Sequence, residues 1–137
     1  MPEAAFLPDS VSTRHVFVYG TLRRGDDNDI TLLTPAPVFV GQATIAGRMF
    51  HLGSYPGVRL GGEGQVQGEV YAITPDLEQQ LDEIEGLLPE PTHEYAKRVI
   101  AVQVQGGVLA CIVYEIDPAR ALGKPVIDSG DWVQDKR

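Results

Sequence analysis

The sequence predicts an α+β fold, a small mixed β-barrel of about six strands with one main helix and short helical segments. Stretches rich in β-branched and aromatic residues recur from Val16 to Ile116, as strands require. Only one stretch, Thr74 to Gly86, carries a strong helical pattern with its own start and stop signals. Gly41, Gly47, Gly53 and Gly57 punctuate the strand stretches as turns or bulges, and strands in that number around one helix would curl into a barrel.

Composition bounds the rest. A chain of 137 residues fits one domain large enough to bury its own core, here residues 15–137, preceded by a flexible arm over residues 1–14. Pro2, Pro8, Ser10, Ser12 and Thr13 interrupt any period in that arm. With 19 acidic against 11 basic side chains the net charge is −8 and no Lys/Arg block occurs, which argues against nucleic acid or an anionic membrane as partner. No stretch is long or apolar enough to span a bilayer, and the acidic, proline-bearing start does not read as a secretory signal. The lone Cys111 sits in the apolar run ACIVY, where a reduced, buried, inert thiol is expected. A cytoplasmic protein, monomeric or weakly dimeric, is the expectation.

The opening strand is VFVY, Val16 to Tyr19, ending at Gly20. There the backbone N–H groups of Gly20, Thr21 and Leu22 can approach a ligand oxygen, as an oxyanion hole or as no more than a tight turn. Gly20 and Gly25 have the spacing of a phosphate loop, but Asp26 and Asp27 stand where that motif needs Lys and Ser or Thr. DDNDITLL starts a short helix that carries Ile30, Leu32 and Leu33 toward the core before Pro35 and Pro37 stop it. Strands follow in VFVGQATIAG and RMFHLGSYPGVRL. Gly61, Gly62 and Gly64 form a hairpin tip, and QVQGEVYAI alternates as a half-buried strand. In the helix, Thr74 caps, Pro75 takes the first position and Gly86 stops it, with Leu77, Leu81 and Ile84 on the buried face. At about 100° per residue, Glu85 lies about 70° from that stripe, at the edge of the core, while Asp82 and Glu83 lie about 130° away. A hairpin, EYAKRVIAVQV to VLACIVYEI, turns at Gln105-Gly106-Gly107, and Trp132 anchors the tail.

His15, His51 and His93 are scattered, so no metal site is read, and neither Ser54 nor Ser129 sits in a nucleophile elbow. A carboxylate remains. Glu85, at the negative end of its helix beside Asp82 and Glu83 and against Leu81 and Ile84, is expected to have a raised pKa suited to a general base. The alternative is an ordinary charged residue at a frayed helix end.

The motifs YGTLRRG (Tyr19–Gly25), LGSYPGV (Leu52–Val58), GEVY (Gly68–Tyr71), LDEIEG (Leu81–Gly86), YAKR (Tyr95–Arg98) and SGDW (Ser129–Trp132) occur in one order. In that order the chain resembles the γ-glutamylcyclotransferase-like superfamily, its AIG2-like and γ-glutamylamine cyclotransferase-like branch. The resemblance implies that Tyr19, Gly20, Thr21 and Leu22 hold a γ-glutamyl group, that Glu85 is the catalytic acid/base and that Tyr114 helps to enclose the pocket. It further implies cyclisation of a small γ-glutamyl amine, peptide or carrier-linked substrate to 5-oxoproline, with no cofactor. Thr21 departs from the Ser of some members, and Leu-Leu-Pro-Glu-Pro after Gly86 alters the pocket rim. A module that binds such molecules without turnover, or a purely structural domain, are the other readings.

Overall fold

In the computed structural model, which describes residues 14–135, the chain runs β1 (Arg14–Val18), a 3₁₀ turn (Ile30–Leu32), β2 (Val38–His51), β3 (Pro56–Ile73), α1 (Pro75–Ile84), β4 (Tyr95–Val104), β5 (Gly107–Ile116) and two short helices, α2 (Pro118–Ala121) and α3 (Trp132–Asp135). The expected arm falls on residues outside this description, apart from Arg14, which already belongs to β1.

The fold is α+β around one mixed five-stranded sheet in the order β2-β3-β1-β5-β4. Every pairing is antiparallel except β1 with β5, which is parallel through Val16 and Ile112. Because side chains alternate across a strand, β1 feeds two cores from five residues. Val16 and Val18 join Leu77 and Leu81 of α1 with Ile112 and Tyr114, while Phe17 packs with Ile45, Val66, Val70, Val113 and Trp132 on the other face. Cys111 belongs to the second core, and burial pushes its thiol up to about 11, the inert state expected.

Five strands stand where about six were expected, and the sheet is open. VFVGQATIAG and RMFH are one strand, β2, kept continuous by register shifts at Phe39/Gly41 and Ala46/Gly47. The glycines 61–64 are not a hairpin tip. Leu60 pairs with Gly47 and Gln65 with Ala46, so the four residues between them loop out of β3 as a wide bulge. The edge strands β2 and β4 approach to within 8 Å between Cα atoms yet form no ladder. The far end of β2 is occupied instead by the C-terminal segment: His51 N–H donates to Pro125 C=O and Ile127 N–H to Met49 C=O, both at 2.8 Å, and Phe50 bridges Val126. Donors already satisfied there cannot close a barrel.

Helix α1 forms as its caps dictate. Thr74 accepts a hydrogen bond from Leu77 N–H at 3.2 Å, Pro75 opens the helix, and Gly86 at φ +81° reverses the chain. Leu77 and Leu81 are fully buried, but Ile84 is 42% exposed and is not a core residue, because a cavity replaces the core under the last turn. Leu32 likewise projects into solvent, as the 3₁₀ turn buries Ile30 alone. Among the described residues no helix is long and apolar enough to cross a membrane.

Candidate functional site

The loop after β1 and the end of α1 meet across one cleft of about 300 Å³, lined by Val18, Tyr19, Gly20, Thr21, Leu22, Pro56, Glu85, Tyr95 and Tyr114. All six residues singled out from the sequence are among these.

The loop owes its shape to hydrogen bonds at its carbonyls. Gly20 C=O accepts from Arg23 N–H at 3.0 Å, Thr21 C=O from Asn28 N–H at 2.8 Å and Leu22 C=O from Ile30 N–H at 2.9 Å. A trans peptide sets each N–H opposite the preceding carbonyl, so the N–H groups of Thr21 and Leu22 point away from the 23–30 turn. A Cβ on Gly20 would lie 2.7 Å from Pro56 Cγ, which is why the smallest residue stands there. Leu22 and Tyr19 are buried, and the Tyr19 hydroxyl donates to Tyr114 C=O at 2.6 Å, pinning the loop to β5.

Buried charge holds the loop from behind. Arg23 is 9% exposed; its Nε donates to Glu69 Oε2 at 3.1 Å and its Nη1 to Asp131 Oδ1 at 2.8 Å. Glu69 also accepts from Arg24 N–H at 3.0 Å and from the Tyr71 hydroxyl at 2.8 Å. Sequence reasoning missed Arg23, Glu69 and Asp131 as a unit. The available signal was a carboxylate at Glu69 directly before the apolar run VYAI that ends its strand.

Glu85 is the C-cap of α1. Its N–H donates to Leu81 C=O at 2.9 Å, and Leu87 N–H donates to Asp82 C=O at 2.8 Å as the chain turns back through Gly86. The residue is half-buried, and its carboxyl accepts no hydrogen bond from any described residue. Its pKa is raised to about 7, first by desolvation, then by the charges of Glu94 and Asp82. The direction is the expected one, but Glu94 takes the place given to Glu83, which lies exposed on the outer face.

Tyr114 lines the cleft but spends its hydroxyl on Asp82 Oδ1, at 2.6 Å; burial first and that hydrogen bond second push its pKa far up. Asp82 Oδ2 in turn accepts from Lys97 Nζ at 2.9 Å, and Lys97 also reaches Glu78 at 2.5 Å. Three elements, β5, β4 and α1, thereby lock the turn of helix that ends in Glu85. Tyr95, also missed from the sequence, forms a further wall and donates to Pro56 C=O at 2.8 Å.

An α+β domain that brings one desolvated carboxyl and an N–H-bearing loop to one small cleft has groups that can move a proton and donate to an oxyanion. Comparison places it further: the family model described as gamma-glutamyl cyclotransferase, AIG2-like, matches residues 16–134, and the chain belongs to that family. A Vibrio cholerae protein carrying a provisional γ-glutamylcyclotransferase name is 34% identical over 119 residues, 87% of this chain and 95% of the relative. The γ-glutamylaminecyclotransferase of Rattus norvegicus is 32% identical over 117 residues, 73% of this chain and 76% of the relative. The crystal structure of an AIG2-like protein from Mus musculus superposes with a TM-score of 0.71 at 27% identity, covering 85% of this chain and 87% of that one.

Proposed function

We propose that this chain is a γ-glutamyl cyclotransferase that releases 5-oxoproline and a free amine from a γ-glutamyl amine, peptide or carrier-linked substrate. The observation that carries the reading is that Glu85 and the loop Tyr19–Leu22 line the same cleft although they come from distant parts of the chain.

The chemistry follows from the substrate's own geometry. The α-amine reaches the γ-carbonyl through a five-membered ring, so attack is intramolecular once the chain is folded over. Near neutral pH that amine is an ammonium and holds no free lone pair. Ionised Glu85 takes its proton; the nitrogen then bonds to the γ-carbon, and the carbonyl electrons move to oxygen. The N–H groups of Thr21 and Leu22 stabilise that oxyanion, at about 10²- to 10³-fold per donor. Collapse breaks the bond to the leaving nitrogen, which takes the first proton back from Glu85; the ring nitrogen then gives its second proton to the same carboxylate, which passes it to the released amine as that amine becomes an ammonium, and the site returns to its starting state. Transfer through Glu85 contributes about 10²- to 10⁴-fold. Tyr19 and Tyr114 shape the cleft walls rather than exchange protons, since both hydroxyls are committed within the protein.

The test is release of 5-oxoproline from a panel of γ-glutamyl amines and peptides. An active wild type with an inactive Glu85→Gln variant is expected; equal activity in the two removes Glu85 as the base. A protein that is stabilised by these compounds but forms no product is a binding module.

A further inference from the structure

Asp82, in the last turn of α1, and Glu85, its C-cap, have the i, i+3 spacing at which two side chains meet on one helix face. Two carboxyls so placed can share a proton, and then neither titrates as a single base. Both oxygens of Asp82 are already engaged. Oδ1 accepts from the Tyr114 hydroxyl at 2.6 Å and Oδ2 from Lys97 Nζ at 2.9 Å, whereas the Glu85 carboxyl accepts from no described residue.

Lys97 reaches this place from β4, with its side chain only 25% exposed. Burial works against its charge, yet hydrogen bonds to Glu78 and Asp82 hold its pKa above the ordinary lysine value. Glu78 has a second counter-charge, Arg14 of β1 at 3.8 Å, but among the described residues Lys97 is the only cation paired with Asp82. Around Glu85 the described charged and titratable groups are acids and phenols. Asp82 faces it from α1, Glu94 and Tyr95 where the chain enters β4, and Asp27 across the adjoining cavity. Tyr19 faces it from the end of β1, Tyr55 from just before β3 and Tyr114 from β5. Lys97 is not among the influences on Glu85, so what it does there passes through Asp82.

Resting on the cyclotransferase reading, we propose that Lys97 is a positioning residue for the base: by fixing the Asp82 carboxylate from β4, it keeps Asp82 from turning to Glu85, so that Glu85 exchanges protons alone. Without Lys97, Asp82 Oδ2 can approach the Glu85 carboxyl, and two acids in contact hold one proton more tightly than Glu85 does by itself. The pH at which Glu85 becomes a base then rises.

Two readouts test this. The carboxyl signal of Glu85, followed by NMR across pH and identified by its loss in Glu85→Gln, needs no turnover; kcat/KM for 5-oxoproline release against pH does. In Lys97→Met the NMR midpoint is expected to rise by at least about half a pH unit, and the rising limb of kcat/KM with it. With Asp82→Asn already in place, the same substitution should move the midpoint less than half as far, because the path through Asp82 is gone. Should Lys97→Met not fold, Lys97→Gln, which removes the charge and keeps most of the length, carries the same comparison. A smaller rise in the folded single variant, whatever its melting temperature, reduces Lys97 to a brace and overturns the proposal. A rise of similar size in the Asp82→Asn background overturns it too, since Lys97 would then act on Glu85 directly. If no γ-glutamyl compound yields 5-oxoproline, the cyclotransferase reading falls, and the NMR midpoints alone decide whether Lys97 governs Glu85.

Discussion

At the scale of single residues, Glu85 sets function against stability. Its folded pKa of about 7 lies above the ordinary glutamate value of 4.5, so the folded protein holds the proton more tightly than the unfolded chain does. Stability is therefore intact below the unfolded pKa and declines as pH rises from there through about 7. Glu85→Gln, which mimics the neutral acid, should stabilise the protein at pH 8 by on the order of 2 kcal/mol and change nothing near pH 4. Denaturant melts at the two pH values check this, while 5-oxoproline release should fall by at least about 10²-fold. The limb of kcat/KM that rises with pH should have its midpoint near 7, and Glu94→Gln should move it to lower pH, because the charge of Glu94 is the second cause of the shift. Glu85 itself was legible from helical phase and capping. Glu94 was not: it lies nine residues further on, across a loop without periodicity, and only the return of the chain at Gly86 brings it close.

At the scale of elements, local rules wrote the helix and the β4–β5 hairpin plainly, since caps, alternation and a Gly-Gly turn all lie within a few residues. They held for Gly41 and Gly47, read as turns or bulges and found at register shifts, and failed at Gly61, Gly62 and Gly64, where an expected hairpin tip is a bulge within a longer strand. A bulge and a turn use the same backbone freedom, and the partner strand decides between them. Gly86 illustrates a glycine whose role is fixed twice over. Its φ of +81° is the left-handed region, and a Cβ there would lie 2.7 Å from Thr92 Oγ1. Gly86→Ala should cost about 1–2 kcal/mol and displace Glu85, its chain neighbour, so kcat should fall by more than the stability loss accounts for. Melting and kinetics on one preparation separate the two effects. Gly20 differs, having ordinary φ but no room beside Pro56. Gly20→Ala should shift the loop and lower kcat/KM with a small change in melting temperature.

At the scale of the whole molecule, motifs that look unrelated along the chain prove to be halves of contacts. Arg23 of YGTLRRG is held by Glu69 of GEVY and Asp131 of SGDW, Lys97 of YAKR by Asp82 of LDEIEG, and Tyr95 of YAKR by Pro56 of LGSYPGV. Their order was readable; their pairing was not, because ion pairs between distant segments leave no periodic trace. The open sheet was hidden for the same reason, since it depends on where residues 125–127 return beside β2. The Arg23 node is the point at which the first loop, strand β3 and the segment leading into α3 are tied, and it should govern stability and activity together. Arg23→Met strands Glu69, which is 7% exposed, without its counter-charge in the interior, and the expected cost is about 3–5 kcal/mol. Adding Glu69→Gln removes that stranded charge and should restore most of the stability. The double variant still lacks the charged support behind Gly20–Leu22, so its 5-oxoproline release should stay well below that of the wild type after its melting temperature has recovered. Recovery of both together would mean that the node only holds the fold, and that the loop keeps its shape without it.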